Sequence, residues 1–489
     1  MTAGPFYLGF DVGTQGTKGV CLDAGTGAVV ARAGRRYGLI EGLGPGAAEQ
    51  HPDTWIDAVR AVAGELLVAD GVDPARVRGV GVSGQQHGLV VVDGAGEVVR
   101  PAKLWCDTTT AEEARELTRV AGRAVPTGFT APKALWLVRR EPSQWRRVRR
   151  IMLPHDYVNF RLTGEPTTDP GDASGTGWFD PESRRYDASI LRHIDPGLEP
   201  MLPRVVAPGE PAGRVTAEGA RRTGVPEGTL VAAGSGDNMM SAIGSGATRD
   251  GVVVVSLGTS GTAFAHSSRP LRDPEGLIAP FCDATGGWLP LLCVMNMTGV
   301  LEEVRRAFAG EDHESLTALA EEVAPGADGL LLLPYLVGER VPDMPSATGA
   351  LLGLRPGLLR PGHLYRAAME GTSLSLASGV ARMRRLGLAS SEVRLVGGGS
   401  DNRLWRQVLA DVLEVPIVRL AEPESAALGA AIQARWTDLR DRGEEAVLDA
   451  VAAPLLRTGE ATHPDPAAFA VYREARGRLE ELTRRLFDS

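Results

Sequence analysis

The first residues of the chain alternate between apolar and other side chains in the manner of two short strands. Residues 8–12 (LGFDV) place an apolar side chain at every second position, and Val20 and Leu22 repeat the alternation a few residues later. Gly13 and Gly16 lie between the two runs, where a tight turn leaves no room for larger side chains. The pattern therefore predicts a β-hairpin.

Farther along the chain, apolar spacing alternates between helical and extended periods. Residues 77–82 (VRGVGV) read as a buried strand, and residues 230–238 (LVAAGSGDN) and 393–402 (VRLVGGGSDN) read as strands that run into a glycine-rich turn and a helix. From about residue 52, one helical face collects the apolar residues Trp55, Val59, Val62 and Leu66. Strands that alternate with helices predict an α/β fold.

The predicted hairpin turn carries groups that bind phosphate. Its backbone N–H groups and the hydroxyls of Thr14 and Thr17 can contact phosphate oxygens, and the Lys18 ammonium adds a positive charge. Asp11 stands at the end of the first strand, where a carboxylate can hold Mg²⁺ directly or through water. A surface hairpin with a solvated aspartate is the alternative for this motif taken alone.

The turn recurs in the second half of the chain. Gly13-Thr14-x-Gly16-Thr17 aligns with Gly258-Thr259-x-Gly261-Thr262, about half the chain length later, and Ser256 stands near the position of Asp11. The repeat predicts a duplicated domain with phosphates clamped between the two halves. We expect the halves to be residues 1–246 and 247–489, with a hinge in the small-residue run near 245–250.

Asp237 is the candidate general base. It follows a strand and a glycine bend and precedes a helix of small residues, a position where an aspartate also serves as a helix N-cap, and for this residue alone both roles stay open. Phosphoryl transfer needs positioning, charge neutralisation and one group to accept the alcohol proton. The two phosphate turns, Asp11, Asp237 and the glycines 397–399 together predict phosphoryl transfer from ATP to a small hydroxyl acceptor.

Two polar stretches are candidates for binding that acceptor. Gln86 and His87 follow the strand 77–82 in a polar loop, which favours a substrate contact over a packed histidine. Trp105 and Asp107 are either a core aromatic and a turn aspartate or an apolar wall and a hydroxyl acceptor.

Composition and charge exclude several other classes of protein. The net charge of -9 and the pI near 5.6 leave no broad basic surface for nucleic acid. The 4 cysteines have no CxxC spacing, which argues against zinc and against a disulfide framework, and favours a reducing compartment. The most apolar run, 330–333, is far shorter than the ~20 residues of a membrane span. We therefore expect a cytoplasmic protein with no membrane or nucleic-acid partner.

These motifs resemble the FGGY family of carbohydrate kinases over nearly the whole chain. The resemblance includes DVGTQGTK near the amino end, SLGTSG in the second half, and the run 349–371, which is similar to the family's carboxyl-terminal signature. It implies an α/β fold of two ribonuclease-H-like, actin-type ATPase domains with an interdomain catalytic cleft. The first domain would bind the sugar and the second the nucleotide.

Within the family, five motifs are most similar to those of xylulokinases: SGQQHG, FTAPKALW, LPHDY, GSGDN and LPYLVGER. The resemblance implies ATP-dependent phosphorylation of the 5-hydroxyl of D-xylulose, with Asp237 as proton acceptor and with Asp11 and Asp237 near Mg²⁺. The residues expected to bind the ketose are Gln86, His87, Trp105, Asp107 and Asn238. The residues expected to bind ATP are Gly13, Thr14, Gln15, Thr17, Lys18, Gly258, Thr259, Ser260, Gly398, Gly399 and Asn402.

Two departures from the xylulokinase pattern concern the substrate. Xylulokinases often carry methionine where Gln86 stands, and a WNDGR-like run where this chain has residues 105–109 (WCDTT). These differences leave D-ribulose, L-ribulose and glycerol as alternative acceptors, although the loop lacks the arginine and glutamate pair of glycerol kinases. A non-catalytic regulatory protein of the same fold is the second alternative, and a homodimer is left open as the oligomeric state.

Overall fold

A computed structural model describes residues 4–487 and divides them into two units. The first unit runs to Thr248 and also contains Pro280–Leu289 and Glu424–Leu456. The second contains Arg249–Ala279, Pro290–Pro423 and the residues from Arg457 onward. The predicted division after residue 246 follows the first boundary closely. It differs from these units in placing the two later segments, 280–289 and 424–456, with the second half.

The first unit holds fifteen complete strands in the described residues. They are β1 Phe6–Val12, β2 Gly16–Asp23, β3 Ala28–Arg36, β4 Glu49–Gln50, β5 Val77–Gly84, β6 Val90–Val92, β7 Ala102–Lys103, β8 Arg150–Met152, β9 Thr167–Thr168, β10 Phe179–Asp180, β11 Arg185–Tyr186, β12 Arg204–Val205, β13 Pro211–Arg214, β14 Leu230–Ala232 and β15 Ser235–Gly236. Its main sheet has the order β13-β14-β5-β1-β2-β3, and β15 extends the edge by pairing with β5. The predicted hairpin is the antiparallel pair β1–β2.

The helices of the first unit pack partly on that sheet and partly against one another. They are α1 Pro52–Leu67, α2 Ala111–Ala121, α3 Thr130–Arg140, α4 Pro142–Trp145, α5 Pro154–Thr163, α6 Pro170–Ala173, α7 Ala188–Ile194, α8 Ala217–Thr223 and α9 Asp237–Ser245, with α14 Ser425–Asp441 and α15 Leu448–Ala452 from the later segment. The predicted apolar face of α1 is buried at all four positions. This burial supplies the driving force that keeps the helix on the sheet.

Helix α14 belongs to the first unit because small residues let it approach the sheet very closely. A Cβ atom on Gly9 of β1 would lie 1.9 Å from the Ala427 carbonyl oxygen, and one on Gly81 of β5 would lie 2.0 Å from that of Ala430. Gly244 at the end of α9 makes a similar approach to α14. This close packing is the physical reason why a segment from the second half completes the first unit.

The second unit repeats the sheet of the first. The central strands have the order β19-β17-β16-β22-β23-β24, in which β16–β17 and β17–β19 are antiparallel, β16–β22 and β22–β23 are parallel, and β24 closes the edge antiparallel to β23. The first unit has the same directions along β3-β2-β1-β5-β14-β13. The strands of this sheet and its surroundings are β16 Gly251–Leu257, β17 Gly261–Ala265, β18 Ala279–Cys282, β19 Trp288–Val294, β20 Leu331–Leu333, β21 Ala350–Leu352, β22 Ser390–Val396, β23 Ile417–Leu420 and β24 Thr458–Thr462. Most of β18 and the first two residues of β19 lie in the segment Pro280–Leu289, which belongs to the first unit. The matching topology supports the duplication inferred from the two glycine turns.

The helices of the second unit are α10 Thr298–Ala307, α11 His313–Glu321, α12 Pro361–Arg385, α13 Arg403–Leu413 and α16 Phe469–Phe487. Helix α12 is buried along most of its length, and it packs in one apolar core with β16, β22 and α13. Within residues 4–487, no helix is long and apolar enough to cross a membrane.

Candidate active site

The polar loops of the first unit meet at one edge of its sheet. Strands β1 and β5 are parallel and pair Asp11 with Ser83, and β5 pairs Ser83 with Ser235 of β15. The loop with Gln86 and the start of α9 therefore emerge side by side. Carboxyl ends of parallel strands are where α/β proteins bind ligands.

Asp11 lies at the end of β1. Its Oδ1 accepts a hydrogen bond of 2.7 Å from the Ser83 hydroxyl. Burial raises the pKa of Asp11, and the contributions of Ser83 and Lys18 oppose that rise. Lys18 itself is exposed and forms an ion pair of 2.9 Å with Glu424 at the start of α14. Its ammonium is thus tied to the protein rather than extended into the turn.

Internal hydrogen bonds brace the first glycine turn. The Thr14 hydroxyl donates to Gln85 Oε1 at 2.9 Å and accepts from Trp105 Nε1 at 3.0 Å. The Thr17 hydroxyl is buried and lies 3.1 Å from the Tyr37 hydroxyl. Both threonine hydroxyls are therefore engaged by the protein, so any phosphate contact falls to backbone N–H groups, among which that of Gln15 lies in the exposed part of the turn.

Trp105 and Asp107 each have hydrogen-bond partners within the protein, although the Trp105 side chain is 47% exposed. The Trp105 indole N–H donates a hydrogen bond of 3.0 Å to the Thr14 hydroxyl. Asp107 is fully buried and accepts hydrogen bonds from Ala48 N, Lys103 Nζ and Thr109 N. Although burial alone would raise it, these contacts hold the pKa of Asp107 below its usual range. The Asp107 carboxylate is thus occupied by donors of the protein itself, and the expected contact of Trp105 and Asp107 with the sugar stays a prediction.

We expect Asp107→Asn to reduce stability without weakening sugar binding. An amide in place of the carboxylate leaves the Lys103 ammonium with one carboxylate partner, Glu49, and loses a charge-assisted hydrogen bond. The expected cost is about 1–3 kcal/mol in the free energy of unfolding. Chemical denaturation measures that cost, and steady-state kinetics measures KM for the sugar. A tenfold rise in KM with unchanged stability would contradict this assignment.

Asp237 and Asn238 form the first turn of α9. Gly236 is the N-cap, so the N-cap role considered for Asp237 is not the one it has. Asp237 Oδ1 accepts from its neighbour's backbone N–H at 2.8 Å and from Asn238 Nδ2 at 2.9 Å. Burial, with the negative charges of Asp11 and Asp172, raises the pKa of Asp237 to about 7. A carboxylate with a raised pKa is better suited to accept a proton than an ordinary one.

The Gln86–His87 loop touches the start of α9. Gln86 is buried, and its Oε1 accepts a hydrogen bond of 3.0 Å from Asn238 Nδ2. His87 has a positive φ of 65°, a conformation that is uncommon outside glycine and occurs at functional turns. The loop therefore presents an amide and an imidazole next to the candidate base.

Sequence reasoning missed two aromatic residues that pack on His87. The ring centroid of His87 lies 4.7 Å from that of Phe129 and 6.0 Å from that of Phe281. Phe129 begins the FTAPKALW motif and was available as a signal. Phe281 comes from the segment 280–289, and no local pattern links it to the first unit. Aromatic faces bind the C–H surface of sugars, so this stack is a candidate sugar wall.

We expect Phe129→Ala to raise KM for the sugar about tenfold, which corresponds to the ~1.4 kcal/mol of one lost aromatic contact. The control is Phe160→Ala, which removes an α5 aromatic that packs with a different cluster. Initial rates over a range of sugar concentrations separate the two variants. Equal KM values for Phe129→Ala and the unaltered protein would show that this aromatic stack does not contact the sugar.

In the second unit, the repeated turn and the triple glycine have the predicted backbone form. Gly258 N donates to the Ser260 carbonyl at 3.1 Å, and Thr259 is exposed. A Cβ atom on Gly398 would meet nothing within 4 Å, whereas one on Gly399 would meet Leu257 at 2.9 Å. Open space beside a glycine turn is suited to nucleotide phosphate or ribose.

Asn402 has a structural role that sequence reasoning did not identify. It is the N-cap of α13, where its Oδ1 accepts from Trp405 N at 3.0 Å and its Nδ2 donates to Thr317 at 2.8 Å. Both ends of the amide are engaged. The expected contact between this side chain and the nucleotide stays a prediction.

Within residues 4–487, no group of three or more histidine, cysteine, aspartate or glutamate side chains is arranged to hold a metal ion by itself. Asp11 and Asp237 are nevertheless close enough for the charge of one to raise the pKa of the other. A divalent cation would relieve that repulsion. Mg²⁺ commonly binds to one or two carboxylates together with phosphate oxygens, so this pair fits such an ion.

Comparisons with known proteins identify the family of this chain. Residues 6–244 match the N-terminal domain model of the FGGY family of carbohydrate kinases, and residues 253–437 match its C-terminal domain model. The chain is 43% identical to a xylulose kinase of Streptomyces coelicolor over 446 residues, which cover 88% of each chain. It is 39% identical to a xylulose kinase of Haemophilus influenzae over 448 residues, 88% of this chain and 90% of the relative.

A solved structure of a related kinase has the same fold. The crystal structure of xylulose kinase from Rhodospirillum rubrum superposes with a TM-score of 0.88 at 31% identity, and the match covers 98% of this chain and 99% of the other. The two-domain, actin-like ATPase fold expected from the resemblance is thereby confirmed. The family transfers a phosphoryl group from ATP to a carbohydrate. This chain belongs to the FGGY family of carbohydrate kinases.

Proposed function

We propose that this carbohydrate kinase phosphorylates the 5-hydroxyl of D-xylulose with ATP, to give D-xylulose 5-phosphate and ADP. The observation that carries the proposal is the juxtaposition of Asp237 with the Gln86–His87 loop, because it puts a base next to polar groups that can orient a sugar hydroxyl. The choice of D-xylulose is supported by relatives named xylulose kinase at up to 43% identity over most of the chain.

In the proposed reaction, Asp237 accepts the proton of the sugar hydroxyl as that oxygen forms a bond to the γ-phosphorus. The bond between the γ-phosphorus and the β–γ bridging oxygen breaks, and the electron pair leaves with ADP. Gln86 and His87 orient the sugar, and Asn238 fixes the carboxylate through its hydrogen bond to Oδ1. Backbone N–H groups of the Gly13 turn bind phosphate oxygens.

Asp11 and Asp237 are the residues that would hold Mg²⁺. When bound, the ion neutralises charge on the phosphate oxygens. The Ser83 hydroxyl holds Asp11 Oδ1, which orients the carboxylate for this task. We include a cytoplasmic location in the proposal because ATP is the donor and all 4 cysteines are free. The oligomeric state suggested for it, a homodimer, is tested by sedimentation.

The deciding experiment is ADP release measured with purified protein over a panel of D-xylulose, D-ribulose, L-ribulose, glycerol and several aldoses. We expect the highest kcat/KM with D-xylulose. A higher value for D-ribulose, L-ribulose or glycerol would replace the acceptor and keep the kinase assignment. Absence of ADP release with every acceptor, in a protein that binds ATP, would favour the regulatory alternative.

A further inference from the structure

A lysine in the first turn of α3 is completely buried and has no carboxylate partner. Lys133 is 0% exposed, and it forms no ion pair within residues 4–487. Its Nζ donates hydrogen bonds to two backbone carbonyl oxygens, that of Gly128 and, at 2.8 Å, that of Phe129. The nearby Asp107 carboxylate pairs with Lys103 instead, at 3.0 Å.

The buried ammonium of Lys133 lies in a place that does not favour a positive charge. Burial lowers its pKa to about 7. An apolar side chain of similar volume often replaces a buried charge without loss of stability, because it avoids the cost of removing the charge from water. Stability alone therefore does not account for a lysine here, and the two carbonyl groups that it holds indicate its role.

These carbonyl groups belong to the segment that carries the aromatic stack. Phe129 is the N-cap residue of α3, and its ring centroid lies 4.7 Å from that of His87. No side-chain hydrogen bond of Phe129 caps the helix. The Lys133 side chain reaches back along α3 and fastens the backbone on which the Phe129 ring stands.

The start of α3 also holds the backbone of His87. The Thr130 hydroxyl is buried and donates to the His87 carbonyl oxygen at 3.2 Å. A residue with positive φ, as His87 has, keeps that conformation only when its surroundings hold it there. The ring and the carbonyl group of His87 therefore both depend on where residues 129 and 130 lie.

The Gly128 carbonyl connects Lys133 with the Trp105 stretch. A Cβ atom on Gly128 would lie 2.7 Å from the Trp105 carbonyl oxygen, so the two backbones are in close contact. Because Lys133 holds Gly128 as well as Phe129, its ammonium lies where the His87 loop and the Trp105 stretch both meet α3.

We propose that Lys133 is a positioning residue for sugar recognition: by holding the carbonyl groups of Gly128 and Phe129 it sets the place of the His87–Phe129 stack. The inference rests on the proposed function, because it presumes that the sugar lies against this stack. Lys133 itself is too deeply buried to contact the sugar. Its effect is therefore on binding of the acceptor, whereas the proton acceptor and the phosphate turn are left as they are.

The variant Lys133→Met tests this role, since methionine fills a similar volume and donates no hydrogen bond. We expect KM for the sugar to rise about three- to tenfold, up to the effect of removing the Phe129 ring itself, and kcat to change less than about twofold. Tm should stay within about 4 °C, because the lost hydrogen bonds are offset by the removal of a buried charge. Initial rates of ADP release and thermal unfolding give these values.

A double-mutant cycle with Phe129→Ala shows whether the effect passes through the ring. In the Phe129→Ala protein, Lys133→Met should change KM less than about twofold, because the ring that the lysine positions is already absent. The matched control is Arg161→Met, which removes another buried cation of the first unit. Arg161 donates to the Tyr157 hydroxyl at 2.8 Å, outside the stack. Its replacement should lower Tm and leave KM unchanged, so destabilisation alone does not imitate the expected result.

An unchanged KM in Lys133→Met would overturn the inference, and so would an equal rise in KM with and without the Phe129 ring. If Lys133→Met does not fold, Lys133→Gln, whose amide can still donate a hydrogen bond, takes its place. Failure of both variants to fold would make the lysine purely structural and would also overturn the inference. The rates are measured with the acceptor that has the highest kcat/KM, so a different sugar keeps the test intact. A lack of turnover with every acceptor would instead refute the proposed function.

Discussion

Asp237→Asn is expected to lower kcat by about 10²–10⁴-fold, the range for loss of a general base. The amide keeps the size of the carboxylate and can still accept from Asn238, so the start of α9 should keep its shape. It cannot take up the hydroxyl proton, however. We expect KM for D-xylulose, and the dissociation constant for ATP measured without Mg²⁺, to stay within about threefold of the unaltered values. Steady-state ADP release measures kcat and KM, and calorimetric titration with ATP measures the dissociation constant.

The control for this variant is Asp57→Asn, which changes an exposed carboxylate on α1. It should turn over at the normal rate. A variant Asp237→Asn with normal turnover would remove the base assignment. A variant that had lost sugar binding would move the residue from proton transfer to recognition, since a base contributes to the transition state more than to the bound ground state.

Gly81→Ala is expected to destabilise the first unit by about 3 kcal/mol or more, at or above the usual range for overpacked cores. The added Cβ would lie 2.0 Å from the Ala430 carbonyl oxygen and 2.7 Å from the Ala430 carbonyl carbon. The obstruction is backbone, so no rotamer change relieves it, and α14 has to move away from β5. Thermal unfolding followed by circular dichroism should show a clear decrease in Tm, and the soluble yield should fall.

Gly64→Ala is the matched control, because a Cβ at this exposed position of α1 meets nothing within 4 Å. Here alanine should be neutral or should stabilise by about 0.5–1 kcal/mol, since it favours the helix. Equal Tm values for Gly81→Ala and the unaltered protein would show that α14 does not depend on this close approach.

Much of the fold prediction came from patterns among residues that are close together in sequence. The alternation in residues 8–12, the apolar face of α1 and the repeated glycine turn each depend on neighbours in sequence, and the structure contains the corresponding hairpin, helix and duplicated sheet. The α/β class and the family followed from those elements and the motifs. Periodicity is reliable where one face of an element is buried along its whole length.

The partners of individual side chains could not be predicted in the same way. The Thr14 hydroxyl accepts a hydrogen bond from Trp105, which is far away in sequence. The Asp107 carboxylate accepts one from the backbone N–H of Ala48 in another loop. A polar residue near a strand end indicates a possible binding role. Its sequence position does not show whether a group from a distant segment already forms a hydrogen bond with it. For His155 the sequence indicated less than the structure shows. The LPHDY motif indicated only the family resemblance, whereas the close approach of His155 to Gly84 and Gly234 is visible only in the folded chain.

The position of α14 in the chain has a consequence for biosynthesis. The sheet face formed by β1 and β5 is synthesised early, but the helix that covers it ends at Asp441. Until that helix has left the ribosome, this glycine-bearing face has no permanent cover, and the amino-terminal unit cannot reach its final packing. The nascent polypeptide therefore has to keep this face from aggregating for most of translation, and expression of residues 1–248 alone would leave it bare.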